Sequence, residues 1–142
     1  MKKLNYLLVL LTLVSFSYYG NSKTVVKDSE SKVSETNKVE VYYFHNTRRC
    51  ATCNAVEDVT KAALEEYYPE QMKSGEITFQ SLNLEEEKGE TVAKELGVSG
   101  QTLLIIINGK KKDLTNDAFM YAKSKPEKLK EKVNKVVSSA FN

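Results

Sequence analysis

The chain predicts an α/β domain: a mixed four-stranded sheet with helices on both faces, in the order β-α-β-α-β-β-α. Three observations carry this. Strand-like runs alternate with segments of helical apolar spacing. Leu103 to Ile107 is five consecutive aliphatics, which reads as a strand buried on both faces. Asn108-Gly109 follows directly, a hairpin signal that sets an antiparallel partner beside it.

The elements follow in order. Val39 to His45 (VEVYYFH) is rich in β-branched and aromatic residues and forms the first strand. A polar loop, Asn46 to Arg49, leads to Cys50-Ala-Thr-Cys53. Val56, Val59, Ala63, Leu64 and Tyr67 then recur at three- and four-residue steps, a helix that Pro69 stops. Ile77 and Phe79, with Leu82 and Leu84, mark the second strand. Glu85 to Leu96 is a short helix capped by Gly97. After the aliphatic strand and its turn, Lys110 to Leu114 returns as the fourth. The last helix starts near Ser124–Pro126, where Ser124 and Glu127 have capping-box spacing, and runs through Leu129, Val133, Val136, Val137 and Phe141. Helical crossovers between the first three strands imply parallel pairing.

The 142 residues make one domain with extra chain at the front. Lys2 and Lys3 account for the formal charge of +2, and the other 19 basic residues balance 19 acidic ones. That balance offers no basic surplus for nucleic acid. Residues 1–20 read as an export signal: a basic start, an apolar run from Leu4 to Phe16, then small residues that permit cleavage after Ser17 or Ser22. The run is shorter than the roughly 20 residues of a spanning helix. Signal removal and no lasting membrane insertion are therefore expected, with an uncleaved N-terminal anchor as the alternative. Residues 21–38 are polar apart from three valines and read as a flexible linker. The folded domain is then 39–142, exported to a periplasmic or extracellular space and monomeric.

Export gives the two cysteines a compartment where disulfides persist. A bridge across four residues is worth only about 2 kcal/mol on loop entropy, so this pair is a poor staple and a good reversible couple.

The element order, with a CxxC between the first strand and its helix, resembles the thioredoxin fold over Val39 to Phe141. Ser81-Leu-Asn-Leu-Glu, Ala93-Lys-Glu-Leu-Gly-Val and Leu103-Leu-Ile-Ile-Ile-Asn-Gly-Lys are similar to its segments in kind and spacing. The resemblance implies thiol–disulfide exchange with protein substrates, served by a redox partner and no cofactor. It has limits. Thioredoxins carry Trp-Cys-Gly-Pro-Cys, where this chain has Arg49-Cys-Ala-Thr-Cys53. Their buried Asp six residues before the first Cys is Phe44 here. Their cis-proline loop corresponds to Ser99-Gly-Gln101-Thr102, which has no proline.

On that scaffold Cys50 sits at a helix N-terminus, which favours a thiolate. Arg48 and Arg49 are permanent cations beside it. Cys53 lies on the same helix face, one turn in and more buried. Cys50 is the expected attacking thiol and Cys53 the resolving one. His45, the single histidine, is a candidate proton acceptor. Gln101 and Thr102 stand where the family binds substrate backbone. The competing reading is a binding module, or a metal-handling domain in which Cys50, Cys53 and His45 take a soft metal such as Zn or Cu(I). Lys110 to Lys112 and Glu85 to Glu87 read as solvated surface. Tyr42-Tyr43 and Tyr67-Tyr68 read as one core and one surface ring each, without chemistry.

Overall fold

The structure is a computed structural model and describes residues 39–142. The export signal and the linker expected before Val39 lie outside the described residues.

Strands β1 (Val39–His45), β2 (Ile77–Asn83), β3 (Thr102–Ile107) and β4 (Lys110–Asp113) form one sheet in the order β2-β1-β3-β4. Strand alternation divides the apolar residues between two faces. Val39, Val41 and Tyr43 join Leu103, Ile105 and Ile107 on one face. There they pack on helices α1 (Ala51–Tyr67) and α5 (Pro126–Ser138), through Val56, Ala63, Leu64, Leu129, Val133 and Val137. Tyr42, Phe44, Leu82, Leu104 and Ile106 point the other way, onto Ala93 of helix α3 (Glu87–Leu96). Every residue from Leu103 to Ile107 is buried, as a two-sided strand requires. Each such aliphatic contributes about 1.5–3 kcal/mol relative to an exposed position.

The turn chemistry follows the sequence. Asn108 and Gly109 have φ of 49° and 76°, both positive as a type I′ hairpin needs. Gly97 caps α3 in the left-handed conformation. Gly89 is required by close approach: a Cβ there would lie 1.8 Å from the Asn83 carbonyl oxygen, so α3 rests directly on the end of β2.

Four expectations need correction. β3 runs antiparallel to β1, with Thr102 opposite Phe44, and only β1 and β2 are parallel. Asn83 at the end of β2 lies opposite His45 and Thr102 at the start of β3 lies opposite Phe44, so the chain returns through the 98–101 loop to the end of the sheet that it left, and β3 must run the other way. Two helices were not foreseen. Pro69, lacking an N–H, breaks the first helix but opens α2 (Pro69–Ser74) at its N1 position. After β4, Asp113 Oδ1 accepts the Thr115 amide and starts α4 (Thr115–Tyr121), which buries Ala118. Third, Ser124 does not cap α5. Its hydroxyl donates back to the Met120 carbonyl, and Lys125 is the N-cap residue. Fourth, the Tyr42-Tyr43 pair has no surface ring, because α3 covers the face of Tyr42 as α1 covers that of Tyr43.

Candidate functional site

Helix α1 begins on the cysteines. Cys50 is its N-cap residue, with extended backbone (φ −87°, ψ 166°). Its Sγ accepts the Cys53 amide at 3.2 Å, satisfying one of the N–H groups that an α-helix leaves unpaired. Cys50 is exposed and Cys53 is 4% exposed. The two form a disulfide across one helical turn. Reduction thus uncovers one sulfur at the surface, held by a main-chain donor, and one beneath it.

Underneath lies Tyr43, fully buried, whose hydroxyl donates to the Cys53 carbonyl at 3.0 Å. Burial pushes the phenol above its ordinary value of 10.0. The Glu57 charge adds to that, and Arg49 opposes it. Neither Tyr43 nor Glu57 was foreseen at the site. Strand alternation held the signal for Tyr43, since Val39, Val41 and Tyr43 share the face that α1 covers. Phe44, at the place of the family's buried Asp, belongs to the opposite face and packs with Leu82 and Ala93.

Arg49 does not lie free beside Cys50. Its Nη2 pairs with the Glu57 carboxylate and donates to the Cys53 carbonyl at 3.3 Å, and its guanidinium sits 5.7 Å from the Tyr43 ring centre. Arg48 is exposed. His45 is half-buried at the end of β1. Its Nδ1 lies 3.0 Å from the Asn46 carbonyl, and its ring is 5.8 Å from that of Tyr43.

The structure therefore gathers Cys50, Cys53 and Arg49 with Tyr43 and Glu57, and His45 touches this group through the Tyr43 ring. Gln101 and Thr102 lie at the same end of the sheet, Thr102 in the strand ladder and Gln101 on a cleft. Thr102 pairs with Phe44, and its hydroxyl donates to the Gly100 carbonyl at 2.9 Å. Gln101 lines a cleft of about 490 Å³ with Asn46, Leu84, Ala93 and Val98, and no cysteine borders that cleft. No cis peptide bond occurs among the described residues, so the 99–102 loop is trans throughout. The loop carrying Thr47 is tied to β2, where Asn83 Nδ2 donates to the Thr47 hydroxyl at 2.9 Å.

Among the described residues no group of three His, Cys, Asp or Glu side chains is placed to hold a metal ion. No helix among them is long and apolar enough to cross a membrane.

No protein-family model matches the chain, and neither does any curated protein sequence. Among solved structures it is similar to oxidised thioredoxin O2 from Arabidopsis thaliana, at 25% identity and a TM-score of 0.41. That match covers 54% of this chain and 60% of the thioredoxin O2 chain. A second similar structure is that of a malarial protein, at 20% identity and a TM-score of 0.39, over 59% of this chain and 94% of the other. Strand order, helices on both faces and a CxxC pair at the start of the first long helix make the described domain thioredoxin-like in fold, and such a pair supports a redox-type function.

Proposed function

We propose that the protein is an exported thiol–disulfide oxidoreductase that acts on protein disulfides through Cys50 and Cys53. One observation carries the reading: the exposed Cys50 sulfur is the N-cap acceptor of α1, while its bonded partner Cys53 is buried one turn in. A thiolate at that cap keeps the Cys53 amide as donor and gains the favourable end of the helix dipole.

In the reducing direction the Cys50 thiolate attacks one sulfur of a substrate disulfide. A mixed disulfide forms, and the first substrate sulfur leaves as a thiolate and takes a proton. Cys53 then loses its proton and attacks the Cys50 sulfur. The second substrate thiolate departs, and the Cys50–Cys53 bond is made. Two electrons and two protons have passed to the substrate. A dithiol partner in the same compartment restores the couple. Residues 1–20 support export by their charge and apolar run alone.

The test is insulin-disulfide reduction with dithiothreitol as electron donor. Wild type accelerates it, and Cys50→Ser runs at the uncatalysed rate. Equal rates with wild type, Cys50→Ser and no protein would end the proposal.

A further inference from the structure

Arg49 directly precedes the exposed cysteine. An unpaired guanidinium there would stabilise the Cys50 thiolate and hence the reduced form. The side chain is committed to other partners instead. It lies over Tyr43, donates to the Cys53 carbonyl and pairs with Glu57, four residues beyond Cys53 on α1. Both members of the pair are 24% exposed, so solvent screens them less than it does a surface pair. The other polar groups here are Tyr43, whose phenol is neutral near pH 7, the ring of His45 against Tyr43, and the exposed Arg48.

We propose that Glu57 masks the charge of Arg49, and that this ion pair sets the dithiol–disulfide equilibrium of Cys50 and Cys53. With both charges present the thiolate feels little net field, and the couple stays reducing. Removing Glu57 unmasks the cation and favours the dithiol. Removing Arg49 leaves the Glu57 anion uncompensated on the same helix and favours the disulfide. Removing both returns the field close to its starting value. Arg49 and Glu57 are positioning residues, since neither touches the reacting sulfurs in this account.

The inference rests on the redox reading of the pair, but its test needs no protein substrate. Protein disulfide plus two glutathione is equilibrated with protein dithiol plus glutathione disulfide at pH 7, then quenched by alkylation and weighed. Glu57→Gln should shift the constant about threefold towards dithiol, and Arg49→Gln about threefold towards disulfide, the scale of one partly screened charge. The double variant and Glu57→Asp should stay near wild type. A structural role alone would move both single variants the same way, because each loosens the hold on the Cys53 carbonyl. Shifts of the same sign, or no shift in either, overturn the proposal. Opposed shifts in a protein inert towards insulin would sink the oxidoreductase reading and leave the masking intact. Activity without opposed shifts would do the reverse.

Discussion

The amide of Cys53 donates to Sγ of Cys50 across 3.2 Å, so the first helix is capped by the sulfur proposed to do the chemistry. The proposed attacking sulfur and the helix cap being the same atom, the two roles are separable by substitution. Cys50→Ser and Cys50→Ala both lack the disulfide, and only Ser keeps a strong cap acceptor. We expect the Ser variant to be about 1 kcal/mol more stable than the Ala variant. Urea melts of the two compare them directly. Equal midpoints would mean that the cap contributes nothing.

Tyr43 should matter to stability through its hydroxyl. Tyr43→Phe leaves a buried ring in place and removes the donor to the Cys53 carbonyl. A loss of about 1–1.5 kcal/mol is expected in denaturant unfolding. A variant as stable as wild type would show that the Arg49 donor suffices alone.

Alkaline pH gives a second readout of the same ring. Tyr42, Tyr43 and Tyr68 all have phenols raised above 10.0, with burial as the main cause. In the unfolded chain these phenols ionise near 10, while in the fold they hold their protons longer. The folded state then binds more protons, so stability is full below pH 10 and falls as pH rises from there through the raised values. Tyr43→Phe should show a shallower fall than wild type over that window. Identical slopes in pH-jump unfolding would contradict the burial argument for Tyr43.

Gly89 has no room for a side chain. The Cβ of Gly89→Ala would collide with main chain at Asn83, which cannot rotate away. We expect about 2–3 kcal/mol of destabilisation, against the small gain that Ala gives in an unconstrained helix. A melting temperature at or above that of wild type would show that α3 can lift off β2 at no cost.

Much of the fold was legible because local chemistry decided it. Asn108-Gly109 takes positive φ where few other pairs would, and the five aliphatics before it have no polar face to show to water. The cysteine pair was legible as a helix start, and its i, i+3 spacing carried the difference in burial. The direction of β3 was not. It depends on where the 98–101 loop returns the chain, which apolar periodicity does not encode. The sequence shows Arg49 only as a cation beside Cys50, because the pairing with Glu57 spans eight residues and needs α1 to be folded. Tyr43 carries no chemical signal in the sequence, since a tyrosine in a β-rich run reads as a packing ring, and it is indeed core. Only the placement of the Cys53 carbonyl above its hydroxyl makes it part of the site.

The central claim is that Cys50 attacks and Cys53 resolves. Reduced Cys53→Ser protein mixed with a disulfide-containing substrate, and weighed intact after an acid quench, tests it most directly. One substrate adduct per chain is expected, mapped to Cys50, reversed by reductant and absent from Cys50→Ser. No adduct on Cys53→Ser, or equal adducts on the two variants, would contradict it.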